Sequence, residues 1–422
     1  MTPVVDVFLD EGAKARHNLA AHAGHRVGRA RFNLRRGRIT TTFSYDDEYL
    51  RQPYAFALDP GLPLRSGPQH CEGLFGCMRD SSPDRWGRHL IARRRRSVAT
   101  GEGMRALDEV DYLLGVHDET RQGALRYAAP DSSEFFSEQG DIPPRIALPQ
   151  LIAASNEVAR GEEGIEELKV LLDAGSGSLG GARPKASIVD EGRILMAKFS
   201  HPGDEWAVMS WEKTALDIAR AAGLPTPKSQ LVNVGKNAAL VLERFDRAES
   251  GVAAQRMPYM SAMTALGYAD GAQADYIELA EVLPDLCRNP QTELRSLFAR
   301  IALSIALHNT DDHLRNIGFI RTDNTWVLSP CFDINPNPHG ADERVTAIYG
   351  ETGSDEAAAL AQVAAEFCGS FEQGRDVVRT VLDACVAWKS LAKKNGCPDR
   401  ETELFASVFE AKCGILAQAF DL

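Results

Sequence analysis

The 422-residue chain contains no Cys-x-x-Cys pair. Its eight cysteines, Cys71, Cys77, Cys287, Cys331, Cys368, Cys385, Cys397 and Cys413, stand apart, and none joins a histidine at zinc-ligand spacing. That argues against a zinc ribbon or a disulfide scaffold and suits a reducing cytosol. Long apolar runs are also missing. The most apolar stretch, residues 298–307, is interrupted by Arg300 and is far shorter than the roughly 20 residues a bilayer-crossing helix needs. Residues 1–10 are mixed and acidic, without the basic-then-apolar order of a secretory leader, so a cytoplasmic protein with no membrane association is expected. Positive charge is in short supply: 47 Lys and Arg stand against 59 Asp and Glu, a net −12. Such a balance argues against a bulk surface that neutralises phosphates. One local exception, Arg93-Arg94-Arg95-Arg96, follows Trp86, Leu90 and Ile91 and reads first as cations at a helix C-terminus. No low-complexity tract or internal repeat appears, and 44% hydrophobic against 25% charged residues is a globular composition. At this length two or three domains are expected.

Periodicity orders the chain. Residues 4–9 alternate and are β-branched, and residues 26–34 and 38–45 flank Gly37 as a hairpin. Residues 84–94, after Ser82-Pro83, and residues 107–116 read as helices. The Pro-, Ser- and acid-rich stretch 130–149 is a boundary. Residues 151–174 have helical spacing. A glycine cluster at 175–181 follows, and then strands at 186–189 and 194–199 around Asp190-Glu191-Gly192. An amphipathic helix over 211–222 stops at Gly223, and strands at 231–234 and 239–243 come next. Beyond residue 260 helical patterns dominate. The expected divisions are a β-rich N-terminal subdomain (1–130), the rest of a small lobe (150–252) and a helical lobe (253–422).

Gly175-Ser-Gly-Ser-Leu-Gly180 fits Gly-x-Gly-x-x-Gly. A dinucleotide fold needs a strand before it and a helix after it; here a helical pattern precedes, and Pro184 with a β-branched run follows. No Gly-Lys-Ser/Thr is present, so the Walker loop fails too. What remains is a glycine-rich turn whose amides approach phosphates, or a plain hinge. Lys198, on the strand Leu195-Met-Ala-Lys-Phe199, stands where a kinase places the lysine that holds the α- and β-phosphates. Glu212, expected to open the next helix, could pair with that lysine or serve as an ordinary N-terminal helix carboxylate.

The strongest signal is Leu307-His-Asn-Thr-Asp-Asp-His-Leu-Arg-Asn-Ile-Gly-Phe319. Asp311 and Asn316 have the Asp-x-x-x-x-Asn spacing of a kinase catalytic loop. The Asp orients or deprotonates the attacking hydroxyl, and the Asn oxygen reaches Mg²⁺ from the same loop. Asp333, in Ser329-Pro-Cys-Phe-Asp-Ile-Asn-Pro336, sits just after a second short strand, where the other Mg²⁺ ligand belongs. Asp312 rivals Asp311 as base, and His313 could contact phosphate or orient the loop.

Several segments resemble the HipA family of toxin kinases. Met78-Arg-Asp-Ser-Ser-Pro-Asp-Arg-Trp-Gly-Arg88 is similar to that family's "LLPxxWxR" element. Residues 118–125, with Gly123-Ala124-Leu125, are similar to "D-x-x-GAL" with a longer gap. Ser178-Leu-Gly-Gly-Ala-Arg-Pro-Lys185 is similar to the phosphate loop "S-x-x-GAxxK", departing from its usual residues at Gly180 and Arg183-Pro184. Val241-Leu-Glu-Arg-Phe-Asp-Arg247 is similar to the hinge "vERFDR", and Thr310-Asp-Asp-His-Leu-Arg-Asn316 to "TDxHxKN".

The resemblance implies an α+β, two-lobed protein-kinase-like fold with an extra N-terminal subdomain. It implies phosphorylation of protein serine or threonine, with aminoacyl-tRNA synthetases among known family targets. ATP and Mg²⁺ would be the cofactors. Gly180, Gly181, Ala182, Arg183, Pro184 and Lys185 would wrap the phosphates, with Lys198 and His313 nearby. Glu243, Arg244 and Phe245 would contact adenine. Asp311 would be the base, Asn316 and Asp333 the metal ligands, and Ser178 an inhibitory autophosphorylation site. A helix-turn-helix antitoxin would be the partner, and DNA would be reached only indirectly, through it. Two alternatives stand beside this reading: a small-molecule phosphotransferase, which shares the Asp-x-x-x-x-Asn loop, and a catalytically inactive antitoxin or repressor partner.

Overall fold

A computed structural model describes the chain except residues 1–2, 11–24, 99–104, 133, 138–141, 163, 177–182, 236, 249–254 and 340–342. By contact it divides into two units. One comprises Met1–Pro202 with Val234–Met260, the other Gly203–Asn233 with Ser261–Leu422.

The first unit opens with a five-stranded antiparallel sheet. Its order across the sheet is Pro68–Glu72, Arg38–Tyr45, His25–Arg35, Val4–Leu9 and Leu125–Ala128. Alternation sends Ala30, Phe32, Phe43 and Tyr45 into one core with Val5, Val7, Met78 and Tyr127, and a β-bulge that leaves Val27 unpaired turns it to the same side. Gly28 is required there, since a Cβ would lie 2.4 Å from the Ser44 carbonyl oxygen and 2.5 Å from the Phe43 ring. The expected hairpin forms, its two-residue turn built from Arg36 (φ 50°) and Gly37 (φ 77°). Helices Arg85–Val98 and Glu109–Gly115 follow, the second started by an Asp108–Asp111 capping box.

The helical run at 151–174 is two helices, Leu148–Arg160 and Ile165–Asp173, because Gly161 takes a left-handed conformation and ends the first. Strands Lys185–Asp190, Arg193–Phe199 and Asn237–Glu243 then pair antiparallel in that order, the first two around Glu191 and Gly192, both at positive φ.

An internally ion-paired segment after Glu243 is tied by hydrogen bonds to the loop that follows Gly115. The buried Asp246 carboxylate accepts from Arg244 at 2.6 Å, from Arg247 at 2.8 Å and from the Gly123 amide at 2.8 Å. Arg244 also donates to the Thr120 and Arg121 carbonyls. Burial alone would raise the Asp246 pKa, but Arg244 and Arg247 hold it well below the usual carboxylate range.

In the second unit, helix Pro290–Ala306 carries the apolar run noted in the sequence and buries Leu297, Phe298, Ile301, Leu303 and Ile305. Helices Phe371–Cys385 and Asp399–Ala419 pack on it. Helix Val208–Ala221 begins three residues before Trp211, so Glu212 lies inside it, 1% exposed, rather than at its opening. Trp211 stacks on Phe405 at 3.9 Å, and its indole donates to the buried Glu401 at 2.9 Å. A short hairpin, Gly318–Thr322 and Thr325–Leu328, turns through Asp323 and Asn324 at positive φ. Among the described residues no helix is long and apolar enough to cross a membrane.

Asp246 yields a stability prediction. Asp246→Asn leaves Arg244 and Arg247 buried against a neutral amide, which should cost on the order of 3–5 kcal/mol. A carboxylate with a depressed folded-state pKa contributes stability above its unfolded value, near 4, and loses it as pH falls toward the lower folded value. Thermal melts from pH 7 to pH 3 should show a lowered midpoint for Asp246→Asn at neutral pH and a smaller acid-induced drop than in the wild type. A parallel acid profile in both proteins would refute the assignment.

Candidate active site

Helix Pro290–Ala306 ends without glycine. His308 takes the left-handed position instead (φ 48°), and the Asn309 amide reaches back to the Ser304 carbonyl at 2.8 Å, closing a Schellman motif. A histidine is strained there. Tertiary bonds hold it: its carbonyl accepts from the Asn337 amide at 3.1 Å, and its Nε2 lies 2.9 Å from the His339 carbonyl oxygen. The same returning segment bonds Thr310 twice, through Asn337 Nδ2 at 2.9 Å and the Val345 amide at 3.1 Å.

Neighbouring aspartates have opposite fates. The Asp312 side chain is 5% exposed. Its Oδ1 accepts from the Val345 and Thr346 amides, both at 3.2 Å, and its Oδ2 accepts from Tyr276 Oη at 2.9 Å and from two nitrogens of Arg344. Arg344 donates onward to Glu356 at 2.9 Å, and Glu356 accepts from Lys412 at 2.6 Å. Burial pushes the Arg344 pKa down, but Asp312, Tyr276 and Glu356 outweigh it and leave it raised, so the guanidinium stays charged. Burial and the Asp312 charge push the Tyr276 hydroxyl well above its usual value, which keeps it a neutral donor.

Asp311, by contrast, has a side chain 62% exposed, with His313 Nε2 at 3.7 Å from its Oδ1. Its carbonyl accepts from Asn316 Nδ2 at 2.8 Å. That bond fixes the amide and turns the Asn316 Oδ1 away from Asp311. The loop therefore presents a solvent-facing carboxylate and an oriented amide oxygen.

Asn316 and Asp333 line one cavity, together with Asn309 and Asp312. Asp333 sits at φ 55°, a conformation uncommon outside glycine and often found at functional positions. Asn335 Nδ2 donates to the Asp333 carbonyl at 3.3 Å and to its Oδ1 at 3.2 Å. The Asn335 Oδ1 is buried without a hydrogen-bond partner among the described residues. The Asn316 amide oxygen and the Asp333 carboxylate on one cavity are hard oxygen donors of the kind that suits Mg²⁺ sharing its shell with water and phosphate. Asn335 and Arg344 escaped sequence reasoning. Asn335 lies two residues past Asp333 and was within reach of a spacing argument; Arg344 had no local signal.

In the first unit, Lys198 is 4% exposed and stands opposite Lys185 across the ladder, so both lysines face one side of the sheet. Lys185 Nζ lies 2.5 Å from Asp84 Oδ2, while Asp84 Oδ1 accepts from the Gly87 amide at 2.7 Å at the start of the next helix. Pro184 is buried, its carbonyl accepting from Phe199 N at 2.9 Å, and Arg183 is partly exposed. Glu243 pairs with Arg193 at 2.6 Å, and the Phe245 ring lies 6.1 Å from Tyr259. Arg244 is committed to Asp246 and two carbonyls, which leaves its backbone, not its guanidinium, for any ligand. Ser178, Gly180, Gly181 and Ala182 lie outside the described residues.

The family model of a HipA-like C-terminal domain matches residues 177–389, and that of a HipA N-terminal domain matches residues 20–127. The Shewanella oneidensis MR-1 HipA, solved with HipB and its operator DNA, superposes with a TM-score of 0.67 at 14% identity, covering 98% of this chain and 97% of that one. The Helicobacter pylori proinflammatory kinase CtkA has a TM-score of 0.45 at 12% identity over 58% of this chain and 94% of that one. A search of curated proteins found no match. The fold is thus the α+β, HipA-type one, with β-rich sheets in the N-terminal part and a helical C-terminal part.

The two aspartates separate by experiment. Asp312→Asn removes the charge opposite buried Arg344 and should lower the thermal midpoint by the equivalent of about 3 kcal/mol or more. Asp311→Asn should leave the midpoint unchanged. Equal destabilisation by both substitutions would rule out Asp312 as the anchor.

Proposed function

The chain belongs to the HipA family, and we propose that it is a toxin-type protein kinase that moves the γ-phosphoryl group of ATP to a serine or threonine hydroxyl of a cellular protein. The observation that carries this reading is the exposed Asp311 carboxylate, five positions before Asn316, which shares a cavity with Asp333.

Phosphoryl transfer asks chiefly for alignment and neutralised charge. Asp311 takes the proton of the acceptor hydroxyl as its oxygen bonds to the γ-phosphorus and the bond to the β–γ bridging oxygen breaks, releasing ADP. Asn316 and Asp333 would hold Mg²⁺; when bound, the ion neutralises phosphate charge. Asp312, clamped by Arg344, Tyr276 and two amides, keeps the loop from moving when Asp311 works. Lys198 would hold the α- and β-phosphates, with Lys185 and the Gly180, Gly181, Ala182, Arg183 and Pro184 loop around them. Glu243 and Phe245, with the Arg244 backbone, would frame adenine, and His313 would orient Asp311 or meet phosphate.

Family likeness supports three finer points. The partner would be a helix-turn-helix antitoxin, as the Shewanella oneidensis protein was solved with HipB and operator DNA. The target class would include aminoacyl-tRNA synthetases. Phosphate on Ser178 would place about −1.5 to −2 charges where ATP phosphates belong and switch the enzyme off.

Asp311→Asn should reduce turnover by a factor on the order of 10² or more, the range for losing a positioned base, with ATP affinity little changed. Asp333→Ala should weaken nucleotide binding in the presence of Mg²⁺ and leave metal-free binding nearly unaltered. Phosphoproteomics after brief induction should find serine or threonine sites in wild-type cells that are absent with Asp311→Asn. Phosphorylation of a free small alcohol with no protein target would instead make the chain a small-molecule phosphotransferase.

A further inference from the structure

The N-terminal hairpin carries charge that the proposed kinase does not use. Across the sheet register, Arg31 faces Thr42 and His70, Asn33 faces Thr40 and Glu72, and Arg35 faces Arg38. Paired residues in register share a face, and so do alternate residues of one strand. Arg29, Arg31, Asn33, Arg35, Arg38, Thr40 and Thr42 therefore lie together, opposite the face whose Phe32 and Phe43 fill the core.

The two ends of this face differ. At one end Asp6 and Asp46 neutralise Arg26, and Asp6 also holds Arg29 through bonds of 2.5 and 3.0 Å. Toward the turn Arg31, Arg35, Arg36 and Arg38 are all exposed, and they make no ion pair or side-chain hydrogen bond among the described residues. Glu72 is the neighbouring carboxylate across the sheet.

Folding does not call for this arrangement. Arg35 opposes Arg38 directly, a like-charge pair that disfavours the hairpin. Arg36 occupies a left-handed turn position (φ 50°) where asparagine or glycine would fit without strain. Local costs accepted without an internal gain mark functional positions. The chain as a whole carries −12, so four unpaired guanidiniums on one hairpin run against its general field.

The chemistry of the face selects the partner. Toward the turn it shows arginines, hydroxyls, an amide, an imidazole and the single carboxylate of Glu72, with Val4 beside Arg31 and no large apolar side chain. A protein–protein interface needs an apolar core patch, whereas nucleic-acid interfaces are polar and strongly positive. The face also lacks Phe, Tyr and Trp, the platforms on which single-stranded bases stack. We propose that Arg31, Arg35, Arg36 and Arg38, with the Thr40 and Thr42 hydroxyls, bind the phosphate backbone of duplex DNA directly. This goes beyond the expectation that DNA is reached only through a partner, and it does not depend on the role of Asp311.

The test is fluorescence anisotropy of a labelled duplex of about 20 base pairs with the full chain, from low to moderate salt. The comparison protein combines Arg31→Ser, Arg35→Ser, Arg36→Asn and Arg38→Ser. All four sites are exposed and asparagine favours the turn, so the thermal midpoint should hold or rise. Wild type should bind the duplex more tightly than a single strand of equal length. Its log–log salt slope should be about −3 to −4, near 0.9 per phosphate contact. The fourfold variant should lose at least tenfold in affinity, and its slope should shrink toward zero. Unaltered affinity and slope in the variant would overturn the proposal, as would no wild-type binding at low salt. Preference for the single strand, or competition by polyglutamate as effective as by unlabelled duplex, would overturn it as well, the latter pointing to an acidic protein surface.

Discussion

The buried pair of Asp312 and Arg344 is the constraint on which the second unit's site rests. Desolvating one carboxylate and one guanidinium is expensive unless each finds donors and acceptors on all sides. Here Asp312 collects two backbone amides, a tyrosine hydroxyl and two guanidinium nitrogens, while Arg344 reaches Glu356 and, through it, Lys412 on the last long helix. A loop that would otherwise be free at the end of helix Pro290–Ala306 is thereby tied to three elements distant in sequence. Its rigidity is what gives the adjacent Asp311 a defined place while leaving its carboxylate in water.

That division of labour between adjacent residues recurs. Residues 311 and 312 are chemically identical, yet one carboxylate is exposed to water and the other is consumed in packing. The same economy holds at the backbone. His308 and Asp333 both take left-handed conformations that a glycine would adopt freely. His308 is held by the returning segment and Asp333 by Asn335, so the surrounding bonds offset the local strain.

The first unit uses arginine in two opposite ways. Arg244 and Arg247 are buried and paired with Asp246, fastening the segment after strand Asn237–Glu243 to the loop at residues 118–123. Arg31, Arg35, Arg36 and Arg38 are exposed and unmatched within the described residues. Net charge counts both sets alike, and only their surroundings tell a structural cation from one available to a partner.

Much of this was legible in sequence. Alternation and turn chemistry placed the Gly37 and Gly192 hairpins, because a two-residue turn with positive φ leaves a local signature. The spacing of Asp311, Asn316 and Asp333 was legible because all three lie within 23 residues of sequence, and the structure sets Asn316 and Asp333 on one cavity. Family motifs extended that reading. The boundaries at Gly161 and Val208 were less legible, since apolar periodicity continues past helix ends that a single left-handed residue or an unmarked start decides. What only the tertiary structure decided is burial and partnership. It chose Asp312 over Asp311 as anchor and turned the Arg244 side chain into an ion network. Each outcome depends on groups far apart in the chain, such as Arg344, Gly123 and Thr120, whose approach has no local pattern because Coulomb and hydrogen-bond energies depend on distance in space, not separation along the chain.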